Sequence, residues 1–88
     1  MGKVLALMKV MPASVEVDLE NLKKELEKVI PDNATLRGVK DEPIAFGLVA
    51  LKVSVILDDS AGGTDAIENA FQELENVSEV QVEAVSLL

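Results

Sequence analysis

The chain has 88 residues, 49% of them apolar and 27% charged, with no Cys, His, Trp or Tyr and a net charge of −8. That inventory excludes disulfides, thiolate nucleophiles, Cys- or His-based metal centres and the commonest general base, so triad and metalloenzyme chemistry largely fall. A chain this size buries roughly 60–65% of its unfolded surface, enough for one two-layer core without a deep private pocket, and its apolar fraction argues against disorder.

The charge is uneven. All eight bases (Lys3, Lys9, Lys23, Lys24, Lys28, Arg37, Lys40, Lys52) precede residue 53, whereas the acids divide equally about that point. A phosphate-backbone binder needs clustered Lys and Arg, so direct nucleic-acid binding is not expected outside a small patch at Lys23, Lys24 and Lys28. An acidic module suits a basic protein surface, and the same charge also serves solubility.

The opening Met1-Gly2-Lys3 runs into an apolar stretch that Lys9 interrupts and Pro12 ends. It is too short to span a membrane and has no small-residue cleavage pattern, so a cytoplasmic protein is expected. From Lys3 to Met11, Val4, Ala6, Met8 and Val10 fall on one face and Leu5, Leu7 and Met11 on the other, which predicts a strand inside a sheet. Leu19, Leu22, Leu26, Val29 and Ile30 recur at three- and four-residue steps, predicting an amphipathic helix over 18–30, capped by Asp18 or alternatively Ser14 and stopped at Pro31.

Thr35 to Lys40 reads as a short strand, with Asp41-Glu42-Pro43 turning the chain into a longer one where Val49, Leu51, Val53, Val55 and Leu57 alternate with Lys52 and Ser54. Asp58-Asp59-Ser60-Ala61-Gly62-Gly63 is a loop. Thr64 or Asp65 then caps a helix carrying Ala66, Ile67, Ala70, Phe71 and Leu74 on one side, ended by Asn76. Val80, Val82 and Ala84 begin a last strand running nearly to Leu88. The order βαββαβ over 1–88 predicts a single α+β domain of ferredoxin-like type, a four-stranded antiparallel sheet with two helices on one face.

Fold alone assigns no function to such a domain. An RNA-recognition version stacks bases on aromatics of its central strands, but the only aromatics are Phe46 and Phe71, and Phe71 sits at core spacing with Ile67 and Leu74. Asp58-Asp59 lacks the alternating oxygen ligands of a calcium loop, and acidic neighbours discourage phosphate at Gly62-Gly63. No catalytic residue, metal site or cofactor is expected. What stands out is Pro43-Ile44-Ala45-Phe46-Gly47, a hairpin turn that carries two large apolar residues where turns are normally polar. Phe46 either folds back onto the core edge or anchors an interface.

The Pro43-Ile44-Ala45-Phe46-Gly47 turn, the long alternating strand that ends in Asp58-Asp59, and Gly63-Thr64-Asp65 opening the second helix carry a family resemblance. So does the Lys9-Val10-Met11-Pro12 end of the first strand. Over essentially its whole length the chain resembles the archaeal elongation factor 1-beta family, and by extension the C-terminal guanine-nucleotide-exchange domain of the eukaryotic elongation factor 1-beta subunit. The resemblance implies a ferredoxin-like fold and a protein that releases GDP from the GTPase elongation factor 1-alpha without covalent chemistry. It implies that Phe46 contacts the GTPase, with Pro43, Ile44 and Gly47 shaping the turn.

Eukaryotic members place a lysine beside the C-terminus, directed toward the Mg²⁺ and phosphate region of the partner, where this chain has Leu87. Two readings follow from that departure: Lys3 supplies the cation from the adjacent strand, or Leu87 and Leu88 wedge the partner's switch segments apart. The protein is expected to be a monomer when free. A competing reading is a small-molecule-sensing domain that dimerises through its sheet, against which Met11-Pro12-Ala13 offers no glycine-rich loop after the first strand.

Overall fold

The computed structural model describes residues 2–32, 34–58 and 64–88. Strands β1 (Lys3–Pro12), β2 (Ala34–Pro43), β3 (Val49–Asp58) and β4 (Val77–Leu87) and helices α1 (Leu19–Lys28) and α2 (Asp65–Gln72) follow in the order β1-α1-β2-β3-α2-β4. The strands form one antiparallel sheet in the spatial order β2-β3-β1-β4. This is the ferredoxin-like α+β arrangement that the hydropathy pattern predicts.

The core follows from period two in the strands and period 3.6 in the helices. Ala6, Met8 and Val10 of β1 lie opposite Val55, Val53 and Leu51 of β3, and all six are buried. They meet Leu22 and Leu26 of α1 and Ile67 and Phe71 of α2 in one cluster, so both helices cover the same sheet face. Met8 is therefore core, as expected, while Met11 is only partly buried on the other face.

Asp18 is the N-cap of α1: its Oδ1 accepts from the Glu20 and Asn21 amides at 3.1 and 3.4 Å. Ser14 instead accepts from the Glu16 amide at 3.2 Å, closing a separate turn. Asp18→Ala should lower the unfolding free energy by about 1 kcal/mol, read from the urea midpoint at unchanged slope, and Ser14→Ala by less.

Several boundaries differ from expectation. Helix α1 stops at Lys28 because Pro31 disfavours helical backbone at Ile30, and the Val29 amide turns back to Leu26 O at 3.3 Å. Strand β2 runs on through Asp41-Glu42-Pro43, which were expected to turn. At a sheet edge Pro43 sacrifices no ladder bond, and Asp41 and Glu42 are held by Lys23 and Lys52 at 3.0 and 3.5 Å. Helix α2 ends at Gln72, leaving Leu74 and Asn76 in a tight turn closed by the Val77 amide donating to Leu74 O at 3.1 Å. Strand β4 consequently starts at Val77 rather than Val80, where Val77 pairs with Pro12 and the Ala13 amide donates to Asn76 O at 2.8 Å. Thr64 precedes α2, but its hydroxyl donates to Glu68 Oε2 at 3.1 Å instead of capping the helix. Among the described residues no helix is long and apolar enough to cross a membrane.

Candidate partner-binding site

The sheet register divides the seven sequence-predicted site residues into two groups. Pro43 pairs with Val49 at one end of the strands. At the other end Lys3 pairs with Asp58, Val4 with Leu87, and the Leu88 amide donates to Lys3 O at 2.9 Å. Pro43, Ile44, Phe46 and Gly47 thus cap one end of a molecule 42 Å long, and Lys3, Leu87 and Leu88 come together at the opposite end.

At the hairpin end the Ile44 amide donates to Leu48 O at 2.8 Å and the Leu48 amide to Ala45 O at 3.2 Å, enclosing a 3-10 turn at Ala45–Gly47. Phe46 occupies the left-handed region at φ 61°, ψ 31°, and Gly47 follows at φ 78°. Glycine takes that geometry without a Cβ clash, whereas phenylalanine pays a steric penalty in it. Phe46 is also 96% exposed, so the alternative in which it folds back onto the core edge is not what the structure adopts. Just behind the turn, Lys23 of α1 reaches Asp41 at 3.0 Å and Glu20 at 3.2 Å, fastening the helix to the hairpin strand. Hydrogen bonding to Asp41, then to Glu20, holds this ammonium above the usual lysine range.

At the other end β4 is an edge strand, and its last turns of apolar sequence are not sealed: Leu87 is 78% and Leu88 64% exposed, and Val85 is more than half exposed. Lys3 Nζ lies 3.9 Å from Asp58 Oδ1, with both side chains largely in solvent. Such a pair contributes little stability, and it leaves the ammonium on the surface at the end of the sheet where the Leu88 amide meets the Lys3 carbonyl.

The sheet face away from the helices carries a lysine row, Lys40 opposite Lys52 and Lys52 opposite Lys9. A β-bulge in β4 leaves Glu83 unpaired between Val82 and Ala84, and bulges re-aim side chains. Glu83 crosses β1 to reach Lys52 Nζ at 3.4 Å, while Glu42 approaches from the other side at 3.5 Å. The Glu42 charge, followed by the Glu83 hydrogen bond, raises the Lys52 pKa, so it stays charged throughout the neutral range. The shallow concavity beside it, bounded by Leu7, Ser54 and Glu83, encloses about 190 Å³. That is below the size of most small-molecule pockets.

Sequence reasoning missed one exposed apolar residue near the hairpin. Val15 is 61% exposed, and it lines a small cleft with Pro12 and Val17 on one side and Gly47 and Val49 on the other. The signal that singled out Phe46, an apolar side chain in a turn, was present in Ala13-Ser14-Val15-Glu16 as well. The bulge at Glu83 carries no comparable signal. Asp59, Gly62 and Gly63, weighed above as cation or anion ligands, lie outside the described residues.

Residues 5–88 match the family model of the EF-1 guanine nucleotide exchange domain. The chain is 50% identical over 88 residues to elongation factor 1-beta of Methanothermobacter thermautotrophicus, covering 100% of this chain and 99% of that protein. It is 48% identical to elongation factor 1-beta of Haloarcula marismortui over the full length of both. It is 44% identical over 86 residues to elongation factor 1-beta of Staphylothermus marinus, covering 97% of this chain and 96% of that protein. With the sheet order, the hairpin and the full-length match all in agreement, the chain belongs to the EF-1 guanine nucleotide exchange domain family.

Proposed function

We propose that this chain promotes GDP release and GTP uptake on elongation factor 1-alpha during translation elongation, by binding the nucleotide-free GTPase. It does so in the cytoplasm as a free monomer, with no direct contact to nucleic acid. Such a factor has only to bind the empty GTPase more tightly than the GDP-bound form; linkage then requires that its binding weakens GDP to the same degree. Binding, not bond chemistry, is what a surface of this kind offers.

The observation that carries the reading is the exposure of apolar side chains at both ends of one stiff sheet, Phe46 at the hairpin and Leu87 with Leu88 at the C-terminal strand, in a chain of the exchange-domain family. A ten-residue strand spans about 33 Å, so the two ends are far enough apart to engage different parts of one partner. Fluorescent GDP release from an archaeal elongation factor 1-alpha tests it directly. Sub-stoichiometric amounts of this protein should accelerate release with turnover; no acceleration by folded protein would overturn the reading.

The same assay separates the two roles considered for the C-terminal end. Leu87 is mostly solvent-exposed, so Leu87→Ala should leave the melting temperature nearly unchanged while slowing exchange about tenfold if the leucines act as the wedge. Unchanged exchange in Leu87→Ala with a loss in Lys3→Met would shift the role to the ammonium. Truncation after Ala84 is a poorer test, because it removes the pairing of Val85, Ser86 and Leu87 with β1.

A further inference from the structure

We propose that Val15, presented by the turn between β1 and α1, is a second apolar anchor that docks on the same GTPase surface as Phe46, in an apolar recess with a basic rim. The inference rests on the exchange-factor reading and adds to it a surface that the hairpin alone does not supply.

Three observations support it. First, the turn is ordered by its own bonds: Ser14 Oγ accepts from the Glu16 amide at 3.2 Å, the Val17 amide donates to Ser14 O at 3.4 Å, and the Ala13 amide donates to Asn76 O at 2.8 Å. Val15 is therefore held outward by a tied backbone, which lowers the ordering entropy that binding must overcome. Second, it is continuous with the hairpin. Val15 and Gly47 line one cleft of about 40 Å³, and Gly47 adjoins the 96% exposed Phe46. A lone exposed valine needs no explanation, but one whose cleft is bounded by the glycine that follows an exposed aromatic extends the apolar surface of the hairpin.

Third, the charged residues next to Val15 in sequence are acidic. Glu16 and Asp18 flank it in sequence and are exposed, and the nearby Lys23 is engaged by Asp41 and Glu20. An apolar centre with an acidic edge is complementary to an apolar recess edged by Lys or Arg, and that complementarity favours a folded protein surface over a second copy of this acidic chain.

The test measures the affinity of the full-length chain for nucleotide-free elongation factor 1-alpha by titration calorimetry, beside the fluorescent GDP release rate and the melting temperature. Val15→Asp should weaken binding by about tenfold or more, and Val15→Ala by a smaller factor, with the melting temperature held because the side chain is exposed. Val15→Ile should restore wild-type affinity, which a loss through turn disruption would not show. Glu16→Lys should weaken calorimetric affinity at low salt, and added salt should shrink the difference. If wild type accelerates release and Phe46→Ala weakens binding while Val15→Asp binds as wild type, the second anchor is wrong and the exchange reading stands. If wild type neither binds nor accelerates release, both fall together.

Discussion

Phe46→Ala should weaken binding to nucleotide-free elongation factor 1-alpha by about 2 kcal/mol or more, roughly 30-fold in affinity, while the domain remains as stable as wild type. The reason lies in what the side chain does in the free protein. At 96% exposure it buries almost nothing, so its removal leaves no cavity and loses no core contact. Its backbone sits at φ 61°, a region that disfavours any residue with a Cβ by about 1–2 kcal/mol. A residue that adds no packing and occupies strained backbone is working against stability, and a site of that kind points toward function.

The strain gives the prediction a second arm. Phe46→Gly relieves the left-handed penalty and should hold or raise the melting temperature, while binding as poorly as Phe46→Ala. Stability and affinity then move in opposite directions at one position, which a packing role cannot produce. If either variant instead melted well below wild type, the aromatic ring would be packed in solution, and its anchor role would fail. If both bound normally, the partner would have to engage another part of this end.

The strands and the core were legible because period two and period 3.6 are strong signals in this chain: Leu51 to Val55 alternates with Lys52 and Ser54, and Leu22, Leu26, Ile67 and Phe71 recur at helical steps. The sheet register then placed Lys3 at the same end as Leu87 and Leu88, and the hairpin at the opposite end. Element ends were less legible, because tertiary bonds decide them. Asp41 and Glu42 look like turn formers and stay in β2 because Lys23 and Lys52 hold them. Val77 joins β4 ahead of the alternation because Pro12 is there to pair with it.

Of the candidate site, Phe46 was readable as an apolar residue in a turn, but its exposure was not, since an identical sequence pattern also fits a ring tucked against Pro43 or Val49. The lysine row and the Lys52 bridge to Glu42 and Glu83 depend on strand neighbours far apart in sequence and on a one-residue bulge. Neither leaves a local trace. Val15 leaves a weaker one, because a single valine in a polar turn is far smaller than a phenylalanine and is common on protein surfaces.

The converse experiment uses the other aromatic. Phe71 is fully buried among the strands and Ile67, and Phe71→Ala should destabilise the domain by about 3–5 kcal/mol, a transfer loss plus the cavity left beneath α2. A chain of 88 residues has a total stability on the order of 4–13 kcal/mol at about 0.05–0.15 kcal/mol per residue. The substitution therefore removes a large share of the margin and should lower the urea midpoint at nearly constant slope. Phe71→Leu, which keeps most of the volume, should lose far less. Exchange activity gives the contrast with Phe46: at saturating elongation factor 1-alpha, binding to the folded form draws Phe71→Ala toward the native state, so its maximal rate recovers. Phe46→Ala lacks the contact itself and gains no such recovery through refolding. A Phe71→Ala domain as stable as wild type would mean that α2 does not rest on this ring, and the core assignment of the second helix would be wrong.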